Sequence, residues 1–371
     1  MVGGGVVGLC AAWSLRRRGA EVVLLERGVC GQGSTAKATG GVRTQFGSEV
    51  NVRLTLASLP FFRDWAQIHG SGAGYRPIGY LFLASTPEQV EAQARGAELQ
   101  GGCGARVELL DRPQLEARLP GVALDGVLGG SFGPDDGLAD PGAAVSALVS
   151  SCRRAGVRIQ EGVEVTSLVL ERTGAAGVGT VAGRLAADAV LVAAGAWTPD
   201  LLRPAGFDLP ITPRHRQVYR ALGVSGLAAD CPFVIDMGTG VYFHPDGQGI
   251  IFGGGDREGT PGLDESFRPE EAPRIVELLA RRLPQALEAR LTGGWAGVRD
   301  MTPDDHAIVG ELSGAERLYV AAGFSGHGFM HAPALGEEIA RAMLGEEPDV
   351  DISRLDPGRF EAGATEETYV F

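Results

Sequence analysis

The chain has 371 residues, of which 44% are hydrophobic and 21% charged, and its formal net charge is −13. This length allows roughly two to three compact units of ~100–200 residues each. The acidic balance argues against a protein that binds nucleic acid or anionic lipid through bulk charge. The five cysteines form no CxxC pair, which disfavours a zinc ribbon, a dithiol redox centre and a disulfide scaffold.

No basic segment followed by an apolar run opens the chain, so no secretory signal is predicted. The longest apolar stretch, around Ala189–Trp197, is far shorter than the ~20 residues of a membrane span. We therefore expect a soluble, cytoplasmic protein, with peripheral membrane association as an open alternative.

The first predicted elements form a nucleotide-binding unit. Gly3, Gly5 and Gly8 make a G-x-G-x-x-G motif, which a predicted helix over Leu9–Arg18 follows. A strand predicted over 21–26 ends in Glu26, about 20 residues after the glycines, where an acid bonds an adenosine ribose. The glycines allow a tight turn, close approach of a pyrophosphate and tight helix packing. The alternative is a glycine-rich turn without a nucleotide.

Only Met1 and Val2 precede Gly3, whereas this motif follows a strand of ~5–6 residues. We expect either a mis-assigned or truncated start, or a chain that lacks most of its first strand. A missing central strand leaves neighbouring ladder groups unpaired.

The next segments alternate between small-residue loops and regular elements. Residues 31–43 are rich in glycine and hydroxyl groups, and Ser34 and Thr35 are suitable donors to a pyrophosphate. Asp140-Pro141 predicts a capped helix to about Ala155. The later predicted elements are strands at 157–160, 163–170, 189–192, 217–220, 241–244 and 319–322, and helices at 270–283 and 332–344.

The stretches GSTAKATGGVRTQF, GFSGHGF and MTPDDHAIVG resemble the D-amino acid oxidase-like superfamily of FAD-dependent amine oxidoreductases. Its members include glycine oxidase, sarcosine oxidases and the β subunit of dye-linked L-proline dehydrogenase. The resemblance extends from Gly3 to Phe360. It favours FAD over NAD, although both cofactors share the glycine motif, and a free NAD-dependent dehydrogenase is a distant alternative.

The resemblance implies an α/β, or α+β, two-domain fold, in which an antiparallel sheet covers the flavin of a Rossmann-like domain. The two domains are interleaved in sequence. The predicted FAD-binding domain comprises residues 1–47, 140–204 and 291–345, and the substrate domain comprises 48–139 and 205–290. Residues 346–371 are predicted to be a solvated C-terminal tail.

The motif and the resemblance together predict non-covalent FAD. The implied cofactor-binding residues are Gly3, Gly5, Val6, Val7, Gly8, Glu26, Arg27, Ser34, Thr35, Gly40, Gly41, Val42, Val165, Ala194, Gly195, Trp197, Arg299, Gly323, Ser325, Gly326, His327, Gly328 and Phe329. No cysteine lies near 299–301, where monomeric sarcosine oxidases attach their flavin, which is why the attachment is expected to be non-covalent.

The implied reaction is oxidation of the C–N bond of a small amino acid or N-alkyl amino acid, by hydride transfer to flavin N5. Arg299 is the expected anchor for the substrate carboxylate, since a guanidinium binds carboxylate at two points. The alternative is a structural arginine paired with Asp300 or Asp304. Arg43 resembles a substrate-side arginine, with a phosphate-binding or structural role as the alternative. Tyr242 is a candidate donor to the carboxylate, with packing as the alternative.

The helix after Gly323–Phe329 is expected to direct its positive end at the flavin, with His327 as an added donor. His327 and His331 are four residues apart, but no third ligand accompanies them, so no metal site is predicted. His306 is predicted to be a solvated loop residue. Met330 and Ile251 replace two lysines of sarcosine oxidases, which favours a dehydrogenase, or an oxidase of a more apolar substrate such as proline.

The electron acceptor is oxygen, an electron carrier or a partner subunit. Two further alternatives stay open at this point: a partner-dependent subunit of a hetero-oligomeric dehydrogenase, and a non-catalytic FAD-binding or assembly protein.

Overall fold

A computed structural model describes residues 1–172, 174–256, 259–362 and 366–369. The helices are α1 (Val6–Arg17), α2 (Glu49–His69), α3 (Pro87–Gly102), α4 (Arg112–Arg118), α5 (Pro141–Ala155), α6 (Thr198–Leu202), α7 (Ala272–Leu279), α8 (Gly328–Leu344) and α9 (Arg359–Ala362). Within the described ranges, no helix has the length and apolarity needed to cross a membrane.

The strands alternate with these helices and belong to several sheets. They are β1 (Val23–Glu26), β2 (Gly41–Val42), β3 (Tyr80–Ala84), β4 (Glu108–Leu110), β5 (Gly129–Gly133), β6 (Gly137–Leu138), β7 (Arg158–Glu161), β8 (Val165–Glu171), β9 (Gly174–Thr180), β10 (Gly183–Ala186), β11 (Val190–Val192), β12 (Thr212–Leu222), β13 (Phe233–Asp236), β14 (Val241–Asp246), β15 (Gly249–Gly254), β16 (Arg290–Met301), β17 (Ile308–Glu311) and β18 (Leu318–Ala322).

The first sheet has the glycine motif at its centre. β1 pairs in parallel with β7, and β11 pairs in parallel with β18, which β17 extends in the antiparallel sense. Between β1 and β11 lie the first residues of the chain: Val2 bridges both Leu25 and Val192. The N–H of Val2 donates to the Leu191 carbonyl and that of Gly3 to the Leu25 carbonyl, both at 2.9 Å. Residues 1–3 thus supply hydrogen bonds to both neighbouring strands at the centre of the sheet.

Helices cover one face of this sheet. α1, α2, α5 and α8 pack together there around a large apolar core that includes Leu9, Leu148 and Leu335. The helix predicted from Asp140-Pro141 is confirmed, because the Asp140 side chain accepts from the Ala143 N–H at 3.0 Å. The opposite face carries the antiparallel sheet β8–β9–β10.

The second large sheet has eight strands in the order β16-β12-β15-β14-β13-β3-β5-β4. All neighbours are antiparallel except β13 and β3. One face packs Tyr219, Phe243 and Phe252 on α7. The other face presents an aromatic and aliphatic cluster that includes Tyr80, Phe82, Phe233, Ile235 and Tyr242. The predicted two-part α/β fold with an interleaved antiparallel sheet is thus confirmed.

Packing differs from the predicted domain division in two places. α2, placed with the substrate domain, packs on α5 and α8 beside the first sheet. β16, placed with the FAD-binding domain, forms the edge of the eight-stranded sheet. Long amphipathic elements pack on whichever layer completes their burial, which sequence periodicity alone does not specify.

Three predicted helices have different limits. α1 begins at Val6, within the glycine motif and three residues before the predicted start. The helix expected over 270–283 ends at Leu279, since Pro284 lacks an N–H and disfavours helical backbone at Leu283. α8 begins at Gly328, four residues before the predicted start, and contains Pro333.

The prediction of a solvated tail is wrong for several of its described residues. Val350, Leu355, Glu367 and Tyr369 are buried. The Glu367 carboxylate accepts hydrogen bonds from the Ser48 hydroxyl at 2.7 Å and the Asn51 amide at 2.9 Å. These hydrogen bonds hold residues 366–369 in place beside the start of α2.

Candidate functional site

A cavity of about 750 Å³ lies between the two large sheets. It brings together most of the residues predicted from the sequence. Those that line it are Gly3, Gly5, Val6, Val7, Glu26, Arg27, Ser34, Thr35, Gly40, Gly41, Arg43, Val165, Ala194, Gly195, Trp197, Tyr242, Arg299, Ser325, Gly326, His327, Gly328 and Phe329.

Three predicted cofactor residues do not line the cavity: Gly8, Val42 and Gly323. A Cβ at Gly8 would lie 2.2 Å from the Gly3 carbonyl oxygen, so Gly8 allows the helix to pack on the turn. Val42 is fully buried in the apolar core, on a strand that contacts α8. Gly323 has a φ of +69°, and its Cβ would lie 2.5 Å from Thr302 Cγ2. Each of the three residues supports the site by packing beneath the cavity wall. A sequence motif does not show whether a residue packs behind the wall or contacts the cofactor.

The nucleotide end of the cavity is built on the start of α1. Gly3 needs to be glycine for the fold, because its φ is +104° and its Cβ would lie 2.3 Å from the Ala193 carbonyl oxygen. Gly5 differs: its φ is −71°, and a Cβ there would approach nothing closer than Thr35 Oγ1 at 3.5 Å. No contact among the described residues therefore requires glycine at position 5, whereas a pyrophosphate at the helix N-terminus does.

Glu26, at the end of β1, accepts hydrogen bonds from two neighbouring turns. Glu26 accepts from the Gly4 N–H at 2.7 Å and from the Gly28 N–H at 2.8 Å. Next to it, the Arg27 guanidinium stacks on the Trp197 ring, 4.2 Å from its centroid. Glu26 lines the cavity, and its predicted contact with the adenosine ribose stays a prediction.

The other end of the cavity is built on the turn before α8. The Gly323 N–H donates to the Asp300 carboxylate at 2.8 Å, and the Ser325 N–H donates to the Asp300 carbonyl at 3.0 Å. Ser325 takes a φ of +50°, unusual for a residue with a side chain. These bonds hold the N-terminus of α8 at the cavity wall, where its N–H groups favour negative charge.

Arg299 lies against this helix start. A Cβ at Gly326 would come within 3.1 Å of Arg299 Nε and 3.2 Å of Cζ, so glycine there makes room for the guanidinium. Of the two acids in the structural alternative, the Asp304 carboxylate bonds the Arg359 guanidinium at 2.8 Å and the Asp300 carboxylate accepts from the Gly323 N–H at 2.8 Å. Tyr242 lines the cavity near Arg299, and we call the part of the cavity around these two residues the substrate chamber. Burial raises the pKa of the Tyr242 hydroxyl, an effect that Arg299 and Arg216 oppose.

Arg43 is buried, with 5% of its surface exposed. Its guanidinium donates to the carbonyls of Gln45 and Tyr369, the latter at 2.5 Å, and lies over the Phe46 ring. Its Nη2 is 3.4 Å from His327 Nε2. Because a guanidinium only donates, His327 Nε2 is the acceptor and the ring proton sits on Nδ1. Burial, with Arg43 as the second cause, lowers the pKa of His327 well below its ordinary value. His327 is therefore a neutral donor through Nδ1.

Comparison with known proteins places this site in a family. The family described as DAO, FAD dependent oxidoreductase, matches residues 1–342. The chain belongs to this family. The predicted resemblance, the FAD cofactor and the oxidoreductase class are confirmed with it. The cavity also fits the cofactor, since Gly5 keeps the start of α1 open and the starts of α1 and α8 both line the cavity.

Individual members of the DAO family show how far the likeness extends. The solved structure of L-proline dehydrogenase from P. horikoshii has a TM-score of 0.91 at 30% identity, covering 98% of this chain and 97% of that chain. Glycine oxidase from Geobacillus kaustophilus has a TM-score of 0.85 at 25% identity, covering 96% and 97%. The 4-methylaminobutanoate oxidase (formaldehyde-forming) of Paenarthrobacter nicotinovorans is 28% identical over all of this chain, which spans 46% of that relative's length.

Sequence reasoning missed several residues of this DAO-family site. Lys37, Arg216, Phe233, Ile235 and Asp300 line the cavity. Lys37 carried one available signal, since it is the only lysine in the chain. His306, predicted to be solvated, is 1% exposed, and its Nδ1 lies 2.9 Å from the Asp304 carbonyl oxygen. Long-range packing of the 302–306 turn against Arg359 buries it, which the local sequence does not reveal.

The buried carboxyl of Asp300 gives a prediction for pH dependence. Burial raises its pKa to about 6 from 3.8, so the folded state binds a proton there that the unfolded state releases. This contribution to the free energy of unfolding is present at low pH and is lost as pH rises from about 4 through 6. In Asp300→Asn this loss should be absent. The free energy of unfolding of wild type should therefore fall by about 2–3 kcal/mol relative to that of the variant as pH rises over that range.

Urea unfolding of both proteins at pH 4, 5, 6 and 7 measures this difference. Asp188→Asn, at an exposed position, provides the control for a lost carboxyl. Parallel pH profiles of wild type and Asp300→Asn would contradict a protonated Asp300 in the folded protein.

Proposed function

We propose that the chain oxidises the C–N bond of a small amino acid or N-alkyl amino acid. One observation carries the proposal: Arg299, Tyr242 and His327 line one cavity, which also contains the glycine motif. An arginine and a tyrosine in a shielded chamber suit a carboxylate. The His327 donor and the helix start suit negative charge beside it.

The residues that would hold FAD divide between the two ends of the cavity. Gly5 and the start of α1 suit the pyrophosphate, Glu26 the adenosine ribose, and the start of α8 the flavin. When bound, FAD accepts the hydride that leaves the carbon beside the substrate nitrogen.

The chain's own groups position the substrate for that transfer. Arg299 binds the carboxylate at two points, and the Tyr242 hydroxyl adds a third donor. The apolar rings of Phe233 and Tyr242, which stack at 5.4 Å between centroids, limit water in the chamber. His327 keeps its Nδ1 proton and serves as a fixed donor, because Arg43 occupies its Nε2. Arg43 is thus a positioning residue that acts through His327.

Similar proteins support the substrate class. L-proline dehydrogenase, glycine oxidase and 4-methylaminobutanoate oxidase are named for substrates that combine an amine with a carboxylate. The chain spans about half the length of 4-methylaminobutanoate oxidase. The proposal therefore covers the oxidation of the C–N bond and no reaction carried out by the rest of that relative.

The electron acceptor is the second part of the proposal. Met330 lines the cavity where sarcosine oxidases carry a lysine, and Ile251 does not line it. Without a cation at either position, the chain favours dehydrogenase chemistry, with an electron carrier or a partner subunit as acceptor rather than oxygen.

An anaerobic visible spectrum tests the proposal. The purified protein, supplied with FAD, is titrated with proline, sarcosine, glycine and D-alanine and then opened to air. Bleaching of the flavin band by an amino acid is the expected result, with slow recovery in air. A flavin that no amino acid bleaches would contradict the proposed activity and favour an FAD-binding protein without catalysis. Rapid recovery would contradict only the dehydrogenase part.

A further inference from the structure

A second guanidinium faces the substrate chamber beside Arg299. On the shared face of β12 and β16, Arg216 pairs with Gly297, and Arg214 pairs with Arg299. Side chains two residues apart on a strand point to the same side, and directly paired residues do so too. Arg216 and Arg299 therefore project from the same sheet face as neighbours, and both line the cavity.

The only lysine of the chain lies over the same strands. A Cβ at Gly297 would lie 2.6 Å from Lys37 Cβ and 2.7 Å from its Cγ, so the lysine stem crosses β16 at that glycine. Since Gly297 is the partner of Arg216, Lys37 and Arg216 flank one spot on the chamber wall. The Lys37 ammonium makes no ion pair within the described parts of the chain, and the residue lines the cavity.

The charges at this wall favour an anion. Burial, followed by the Arg299 guanidinium, lowers the pKa of Arg216 to about 10, although Asp256 acts in the opposite direction. Arg216, Arg299 and Lys37 thus bring three basic side chains to the cavity lining. Asp256 and Glu265 also line the cavity, but a guanidinium has five N–H donors and binds a chain carboxylate and a ligand carboxylate together. Arg216 need not be unpaired to bind a ligand.

We propose that Arg216, with Lys37 beside it, forms a second anion subsite, and that the preferred substrate is an amino acid with a second carboxylate. The second carboxylate lies on the nitrogen substituent or on the side chain. The proposal rests on the proposed function, in which Arg299 holds the first carboxylate. Arg216 is then the residue that determines specificity for the second acid.

Sulfur analogues that cannot be oxidised as amines provide a direct binding test. Thiodiacetate has two carboxylates, whereas its monoamide has nearly the same size and only one. Isothermal titration calorimetry on the FAD-loaded protein should give a Kd for thiodiacetate at least about tenfold below that of the monoamide. In Arg216→Gln this ratio should fall below about threefold, while the Kd of the monoamide changes little.

Arg220→Gln is the matched control. It removes the same charge from the same strand, but Arg220 is exposed, pairs with Asp246 at 3.3 Å and does not line the cavity. Its Kd ratio should equal that of wild type. Lys37→Gln should reduce the ratio partially.

Two outcomes overturn the subsite: equal affinity for thiodiacetate and its monoamide in wild type, or an unchanged preference in Arg216→Gln. The proposed function fails separately, when no amino acid bleaches the flavin. The calorimetric ratio requires no turnover, so it remains decisive for the subsite in that case.

Discussion

Replacing Arg299 by leucine is expected to lower kcat/KM for an amino acid substrate roughly 30- to 1000-fold. This corresponds to a loss of about 2–4 kcal/mol of transition-state stabilisation. The guanidinium lies against Gly326 at the start of α8 and beside the buried Tyr242. A substrate carboxylate that enters the substrate chamber without its partner loses hydration and gains little in exchange. Steady-state kinetics with the substrate identified by flavin bleaching measures the loss.

Two variants separate carboxylate binding from general damage to the site. Arg299→Lys keeps the charge but loses the two-point geometry, so its kcat/KM should lie between those of wild type and Arg299→Leu. Arg220→Leu removes an exposed arginine elsewhere on the eight-stranded sheet and should leave kcat/KM unchanged. The flavin spectrum of each variant confirms that the cofactor is bound. Wild-type kinetics in Arg299→Leu would show that the substrate carboxylate binds elsewhere.

Local signals in the sequence predicted much of the fold. The helix capped by Asp140 begins where its Asp-Pro pair places it, and α1 covers most of the predicted helix but begins three residues earlier, within the glycine motif. Such elements are specified by turn and capping chemistry within a few residues. The domain boundaries depend instead on which layer a long element packs against. This is why α2 and β16 lie in layers other than those predicted.

In the candidate site, too, features that depend on local sequence were predictable and features that depend on long-range contacts were not. Residues in the glycine motif and in the stretch 323–329 were identifiable because their spacing reflects a local requirement for backbone geometry. The environment of Arg43 was not, because Tyr369, which accepts its hydrogen bond, lies 326 positions away in sequence. Nor was the burial of His306, which depends on Arg359. Contacts of this range leave no periodicity in a single sequence.

The alanine variants of Gly5 and Gly8 are expected to fail in different ways. Gly5→Ala should leave the stability of the apo-protein within about 1 kcal/mol of wild type, because its φ of −71° suits alanine and the nearest atom is 3.5 Å from the new Cβ. Its Kd for FAD should nevertheless rise at least about 30-fold, or 2 kcal/mol, since the methyl group occupies the approach of the pyrophosphate. Fluorescence titration of the apo-protein with FAD measures this rise.

Gly8→Ala should lose stability even without FAD, because the new Cβ would lie 2.2 Å from the Gly3 carbonyl oxygen and the helix must move. The expected cost is about 1–3 kcal/mol in urea unfolding of the apo-protein. Gly101→Ala, in α3 with no atom within 4 Å of the new methyl group, is the control without a clash and should lose no stability. If Gly5→Ala bound FAD as tightly as wild type, the pyrophosphate would not lie at the start of α1. The requirement for glycine at position 5 would then need another cause, because no contact within the described chain supplies one.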